Sequence, residues 1–190
     1  NLATLYGGRG EHERALAHLR LVPRESARGD YYPLLLKSLL ALKRPDEART
    51  LAREFGESSN VDALERVRFA LLLGGGGLTE EALGLLEAAR RKSPESLPVL
   101  YGLGVVNAAA RRYERAEEYL NEALRAKPDD VATLRALAGV ARATGNLEKG
   151  LAHLVRARRL APEAPGVLYD FGVTTLQMDL LLDALPAFEQ

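Results

Sequence analysis

The sequence predicts an all-α fold, a solenoid of antiparallel helix hairpins, because two kinds of residue recur at one fixed interval. Three prolines lie 34 residues apart: Pro94, Pro128 and Pro162. Small residues recur with the same spacing: Ala48, Ala82, Ala116, Gly150 and Ala184. An interval of this length is typical of arrays in which each repeat is one supersecondary unit stacked on its neighbours.

Each repeat contains two segments with the periodicity of an amphipathic helix. Leu100, Leu103 and Val106, for example, would form one apolar stripe along a helix. The recurring small residues are expected where the two helices of a repeat cross. A large side chain there would hold the helix axes further apart than the usual ~8–10 Å.

Helix breakers separate the apolar stripes. Residues 144–146 (Thr-Gly-Asn) are expected to join the two helices of one repeat, and residues 127–130 (Lys-Pro-Asp-Asp) to join two repeats. Asp130 and Asn146 stand where a helix N-cap is needed, so their side-chain oxygens are predicted to accept backbone N–H groups.

Prolines mark the first turns of several helices. Pro98 and Pro165 are predicted to lie in first turns, where a missing N–H costs little. Pro186 would damage a helix interior, so the last helix is expected to begin near Leu182 and to keep Pro186 in its first turn.

This register resembles that of the tetratricopeptide repeat, a helix hairpin with a 34-residue period. Residues 97–130 match best, and eight of their side chains fall on signature positions: Leu100, Leu103, Gly104, Tyr113, Ala116, Leu120, Ala123 and Pro128. Residues 29–62 match less well, because Leu36 replaces the usual glycine, Pro45 an aromatic residue and Asn60 the proline. The resemblance implies a right-handed superhelix of such hairpins.

We expect one array over residues 1–190. Its repeats are predicted at about 1–28 (partial), 29–62, 63–96, 97–130, 131–164 and 165–190 (partial). Apolar residues near the end of the sequence would lack a following repeat to cover them: Leu180, Leu181, Leu182 and Phe188. The sequence is therefore expected to be part of a longer array, or one whose open ends a partner or a second copy covers.

Composition argues against several classes of function. The 26 basic and 26 acidic side chains cancel, so no net charge favours nucleic acid or an anionic membrane. Cysteine is absent, which excludes disulfides and thiol chemistry and leaves the compartment open. No apolar run reaches the ~20 residues that a membrane-spanning helix needs.

Residues 74–77 are four consecutive glycines, which invites comparison with a phosphate-binding loop. A P-loop needs a Gly-Lys-Ser/Thr ending, but here Leu78, Thr79 and two glutamates follow. We interpret the run as a flexible turn between two helices, and we expect its replacement by four alanines to leave binding intact and to raise stability.

The remaining chemistry-bearing residues form no recognisable site. His12 and His18 are six residues apart, which does not suit a helical zinc motif, and His18 shares its repeat position with His153 as a tolerated surface site. The short basic stretch Arg156, Arg158 and Arg159 is not a nucleic-acid interface. We predict no catalytic residue, no metal site and no cofactor.

In the family that the chain resembles, the first helices of the hairpins line a concave groove that binds peptides. The resemblance implies a groove formed by Lys37, Val67, Arg68, Leu71, Tyr101, Val105, Arg135, Arg142, Tyr169 and Asp170. Tyr101, Arg135 and Tyr169 occupy the same position of successive repeats. Tyrosine and arginine are enriched at binding hot spots, and Arg135 could fork onto a carboxylate. The alternative is that these residues shield the edge of the stack.

The sequence therefore predicts a protein–protein interaction scaffold that binds an acidic or aromatic peptide segment in its groove. One alternative is a structural spacer with partners on the convex face or the open ends. Another is the non-catalytic array of a larger enzyme, such as a transferase.

Overall fold

The computed structural model describes residues 2–23, 30–58 and 61–189. Within these residues it contains α-helices and no strand, which confirms the all-α prediction. The helices are α1 (Leu2–Gly8), α2 (His12–Arg20), α3 (Tyr31–Ala41), α4 (Pro45–Glu57), α5 (Ala63–Gly75), α6 (Thr79–Lys92), α7 (Leu97–Ala109), α8 (Tyr113–Ala126), α9 (Val131–Ala143), α10 (Leu147–Leu160), α11 (Pro165–Gln177) and α12 (Leu181–Glu189).

The chain divides into two compact units. Unit 1 is Asn1–Ser93 and unit 2 is Pro94–Gln190. The 34-residue interval reappears in the helix starts: α5, α7, α9 and α11 begin at 63, 97, 131 and 165, and α6, α8, α10 and α12 begin at 79, 113, 147 and 181. The organisation as one continuous array stays a prediction.

In unit 2 the first helices of the three pairs lie side by side, since α9 contacts both α7 and α11. Each of them also packs against the second helix of its own pair. Small residues allow helices α7 and α8 to approach each other closely. A Cβ added to Gly104 would lie 2.5 Å from Leu120 Cγ and 3.3 Å from the Ala116 carbonyl oxygen.

The two predicted N-caps are confirmed. The Asp130 carboxylate accepts the backbone N–H of Thr133 at 3.0 Å and its hydroxyl at 2.8 Å. Burial alone would raise the pKa of Asp130, but hydrogen bonds from Thr133 and Lys127 outweigh it, so this pKa is lowered. The Asn146 side chain accepts the backbone N–H of Lys149 at 3.2 Å.

Two of the three proline predictions are confirmed and the third is wrong. Pro98 and Pro165 lie in the first turns of α7 and α11. Helix α12 begins at Leu181, close to the expected start, but Pro186 lies inside it. The helix continues past the missing N–H because Ala187 is buried in a cluster with residues of α9, α10 and α11.

The turns within the repeats share one left-handed residue. Glycine fills this position three times, with φ from 76° to 83°: Gly10, Gly77 and Gly145. Other residues adopt it with φ from 55° to 58°: Lys43, Arg111 and Asp179. Left-handed backbone is disfavoured for residues with a Cβ, so helix packing imposes this geometry whatever residue is present.

The expectation that four alanines at residues 74–77 would raise stability is wrong, whereas their effect on binding stays a prediction. Gly74 and Gly75 end α5, but Gly77 has a positive φ that alanine adopts only with strain. A Cβ on Gly76 would lie 2.5 Å from Leu40 Cδ1. Gly76 and Gly77 form a turn, as predicted, but a constrained one, and Gly74 and Gly75 are helical.

The α3–α4 pair of unit 1 departs from the pattern of unit 2. Leu36 and Ala52 stand at the repeat positions of Gly104 and Leu120, so the large and the small residue have changed places. Both are buried. Phe55 stands where unit 2 has Ala123, and a phenylalanine at a helix crossing needs other packing partners.

Aromatic rings supply that packing. The rings of Phe55 and Phe69 stack with their centroids 4.0 Å apart, which joins α4 to α5. Tyr32 on α3 meets Phe55 edge to face at 5.1 Å. A cavity of about 440 Å³ lies beside the pair and is lined by residues of α2, α3 and α4.

The leucines near the end of the sequence are exposed, as predicted. Leu182, at 89%, is the most exposed of them, and Leu181 follows at 57%. Phe188 lies outside the described side chains. The equivalent positions of earlier repeats hold exposed acids: Asp46, Glu80, Glu114 and Glu148. A following repeat leaves this position open to solvent, so the missing-repeat interpretation does not explain Leu182.

Candidate functional site

The surface of α7, α9 and α11 in unit 2 carries six of the ten predicted groove residues. We call it the first-helix face. Its side chains come from equivalent positions of the three helices and form rows across them. One row is Tyr101, Arg135 and Tyr169; the second is Val105, Gly139 and Val173; the third is Ala108, Arg142 and Leu176.

Tyr101 belongs partly to the core. Its ring packs against the buried cluster that contains Leu120 and Leu137. Burial raises the pKa of its hydroxyl, and the nearby Arg135 charge opposes that rise. Tyr101 therefore lies at the edge of the face, and its ring is held in place by contacts with the core.

Arg135 is engaged within the molecule. Its Nε–H donates to Asp170 Oδ2 on α11 at 2.7 Å, and the side chains are 39% and 18% exposed respectively. A Cβ on Gly166 would lie 2.5 Å from an Arg135 guanidinium nitrogen, so the guanidinium would have to shift if this residue had a side chain. Asp170 already neutralises the charge that the sequence suggested for a carboxylate ligand.

Arg142 is the second cation of the face, two helical turns from Arg135. Residues seven apart lie on one side of a helix, about 10.5 Å apart along its axis. Among residues 2–23, 30–58 and 61–189, no acidic side chain forms an ion pair with Arg142. Arg142 is partly exposed.

Between the two arginines the face is shallow. A Cβ on Gly139 would meet no atom within 4 Å, so the helix backbone lies open there. Val105 and Val173, partly buried on the neighbouring helices, flank it. We call this open stretch of helix backbone, with Arg135 before it and Arg142 after it on α9, the depression.

Large apolar side chains are exposed on the α11 side of the face. Tyr169 is 61% exposed and Leu176 is 48% exposed. Both side chains come from α11 and are seven residues apart, so they lie on one side of that helix.

In unit 1 the predicted residues are divided between surface and core. Lys37 on α3 and Arg68 on α5 are exposed, and Leu71 is partly buried. Val67 is 3% exposed, so its side chain is not presented to a ligand.

Sequence reasoning missed Gly139, Gly166 and Leu176. Gly139 could have been found as a glycine between two valines of the same repeat position. Gly166 lies close to the Arg135 side chain, 31 residues away in the sequence, and no local sequence pattern indicates that contact.

His18 and His153 are partly buried, although they were predicted to be surface residues. The His18 ring stacks on Tyr6 with centroids 5.3 Å apart. His153 is partly buried and its Nε2 has no hydrogen-bond partner among the described residues. Burial lowers its pKa, and Lys149 and Arg156 lower it further, against an opposing effect of Glu117.

The basic stretch of α10 is used within unit 2. Arg156 donates to the Pro128 carbonyl oxygen at 2.6 Å, and the Arg158 guanidinium lies 4.9 Å from the Phe171 ring centroid. In the described part of the chain, no group of three or more histidine or acidic side chains is placed to hold a metal ion. None of the described helices has the length and apolarity to cross a membrane.

Comparison with known proteins gives a family and a fold. A family model described as Tetratricopeptide repeat matches residues 67–131 and 109–165, which together make up just over half of the chain. None of the curated proteins compared with the sequence matches it significantly.

Several solved structures resemble the chain. MamA (41-end) from Desulfovibrio magneticus RS-1 has a TM-score of 0.62 and 21% identity, over 83% of this chain and 89% of that one. Pseudomonas aeruginosa pilF has a TM-score of 0.61 and 18% identity, over 98% and 85%. A tetratricopeptide repeat protein from Parabacteroides merdae ATCC 43184 has a TM-score of 0.67 and 18% identity, over 98% and 75%. At these identities the likeness shows the fold.

Proposed function

Because the chain belongs to the tetratricopeptide repeat family, whose members are generally non-catalytic scaffolds for protein–protein interaction, we propose that the first-helix face of unit 2 binds a peptide segment of a partner protein. The exposure of Tyr169 on the same face as Arg142, with which no described acid pairs, supports this proposal most directly. Both are hot-spot residue types, and neither is needed to fill the core. We assign no catalytic residue.

The corresponding surface of unit 1 has a similar role in this proposal. Lys37 and Arg68 provide exposed positive charge on α3 and α5, and Leu71 provides apolar contact. Val67 is left out because it is buried.

The test uses peptides selected from a displayed random library against the whole chain. Their affinities are then measured for the wild type, for the double variant Tyr101→Ala/Tyr169→Ala and for Tyr113→Ala. Tyr113 is a matched control, since it packs against the same buried cluster as Tyr101 but lies on α8. We expect the double variant to weaken binding by on the order of tenfold or more, as for hot-spot truncations.

Retention of full affinity by the double variant, with both variants folded, would contradict binding on this face. A loss in Tyr113→Ala equal to that in the double variant would show a general effect of core packing. Circular dichroism and thermal unfolding establish that the variants are folded.

A second candidate function is a spacer whose partner docks on α12. Leu182 favours it, being 89% exposed at a position where the other repeats carry acids. Leu182→Glu restores the acidic pattern and leaves the core untouched. If the selected peptides lose affinity for this variant and not for the tyrosine variant, docking on α12 replaces the first-helix face.

A further inference from the structure

The two arginines of the first-helix face are not equivalent. Arg135 is paired with Asp170, and its guanidinium lies against the backbone of Gly166. An incoming carboxylate would have to share or displace Asp170, which is only 18% exposed on its side chain. Separating a partly buried pair leaves charges with incomplete solvation, so this exchange is unfavourable.

Arg142 has neither restriction. No described acid pairs with it, and its neighbours on α9 are small, with Gly139 and Ala143 one turn or less away. A carboxylate reaching Arg142 replaces water alone as its partner. Charge-assisted hydrogen bonds of this kind are among the stronger polar contacts in proteins.

The open backbone at Gly139 gives the neighbouring subsite. Because no atom lies within 4 Å of an added Cβ, a ligand side chain can contact the helix directly there. Val105 and Val173 flank this position, and the exposed Leu176 lies in the same row as Arg142. This surrounding suits an aliphatic or aromatic side chain rather than a polar one.

We propose that the first-helix face of unit 2 selects a partner segment with an acidic residue next to an apolar one. Arg142 binds the carboxylate, and the depression over Gly139 holds the apolar side chain. The ion pair with Asp170 holds the Arg135 side chain in place at the edge of the site. This specificity rests on the proposed function, since it assigns the ligand of the same face.

Two variants isolate the subsites. Arg142→Gln removes the charge and keeps much of the side-chain length, and Arg115→Gln on the exposed surface of α8 is its control. Gly139→Leu fills the depression. Its control is Gly84→Leu on α6, where an added Cβ also meets no atom within 4 Å. Both leucines replace a helical glycine in open space, so neither should lower the temperature of thermal unfolding.

The measurement uses the peptides selected from the random library on the wild-type chain. We expect these peptides to be enriched in aspartate or glutamate adjacent to an apolar residue. Arg142→Gln should weaken their binding on the order of tenfold and reduce its salt dependence. Gly139→Leu should weaken it at least as much, and both control variants should bind like the wild type.

Three outcomes would decide against the proposal. Peptides without acidic enrichment that bind Arg142→Gln and Gly139→Leu like the wild type, yet lose affinity for Tyr101→Ala/Tyr169→Ala, overturn the specificity and leave binding on the face intact. Peptides whose affinity is also unchanged for the tyrosine variant overturn both the specificity and binding on the first-helix face. If Gly139→Leu does not fold, unchanged binding to Arg142→Gln is sufficient to reject the acidic ligand.

Discussion

The α3–α4 pair of unit 1 and the α7–α8 pair of unit 2 occupy the same positions of the repeat but differ in how side-chain size is distributed. In α7–α8, Gly104 lies against Leu120. In α3–α4, Leu36 and Ala52 stand at these two positions, and Phe55 replaces a small residue. Size is therefore redistributed across the crossing, and the aromatic contacts of Phe55 stabilise the altered pair.

The comparison shows that the side-chain size at one position of the helix crossing is linked to the size at the position it packs against. Protein interiors are close-packed, so a leucine in place of a glycine is tolerated when a leucine elsewhere becomes an alanine. The larger side chain of Phe55 is accommodated by its ring contacts with Tyr32 and Phe69.

The largest expected effect is that of Phe55→Ala. Removing a buried ring that stacks on Phe69 should cost about 3–5 kcal/mol of unfolding free energy. The matched change in unit 2, Ala123→Phe, should instead overpack its crossing and cost about 1–3 kcal/mol. Urea denaturation of both variants measures these values. A small loss in Phe55→Ala would show that the aromatic contacts do not stabilise the α3–α4 pair.

The second prediction transfers the unit 1 arrangement into unit 2. Leu120→Ala alone should cost about 2–5 kcal/mol, and Gly104→Leu alone about 1–3 kcal/mol. Together they reproduce the side-chain sizes found at Leu36 and Ala52. The double variant should therefore lose about 0.5–3 kcal/mol less unfolding free energy than the sum of the two single variants. Strict additivity in urea denaturation would refute compensation between the two positions.

The third prediction compares residues at the shared left-handed turn position. Gly145→Ala should cost about 1–2 kcal/mol, because a Cβ is introduced at φ 79°. Arg111→Gly relieves the same strain at φ 58° but frees the unfolded chain, so its gain should stay below about 1 kcal/mol. Thermal unfolding of each variant shows whether Gly145→Ala lowers the stability and Arg111→Gly raises it. Effects of the same sign would contradict a common turn geometry.

The smallest expected effect concerns His153 in unit 2. Burial lowers its pKa in the folded state, so as the pH falls below about 6.5 the unfolded chain takes up a proton that the folded chain does not. Stability should therefore decrease with falling pH between the unfolded and the folded pKa. His153→Gln should lose less stability than the wild type over this interval. Parallel pH profiles of the two proteins, from urea denaturation, would exclude His153 as the cause.

The repeat interval made the fold predictable from the sequence. The helix starts at 97 and 131 coincide with predicted repeat boundaries, since turn residues and apolar stripes recur in phase. The rearranged crossing of unit 1 could not be predicted in this way, because Phe55 finds its partners on other helices. Pro186 was misplaced for a similar reason: tertiary packing holds α12 together through a residue that local rules exclude.

The candidate site was predictable as a face and not as a set of contacts. The register placed Arg135 and Asp170 together on adjacent first helices, but it did not show that they pair with each other. The Arg135 guanidinium occupies the space that a Cβ on Gly166 would take. Arg142 and Arg135 look alike in the sequence, and their different surroundings come from tertiary structure alone.

The left-handed turn also bears on how such repeats are recognised in other sequences. Glycine, lysine, arginine and aspartate all occupy this one position with nearly the same backbone angle. A search pattern that requires glycine there would accept the repeats that contain Gly77 and Gly145 and reject those that contain Lys43 and Arg111. Divergence of the turn residue would then be mistaken for the loss of a repeat. The left-handed backbone, which survives the substitution, is the more durable mark of this turn.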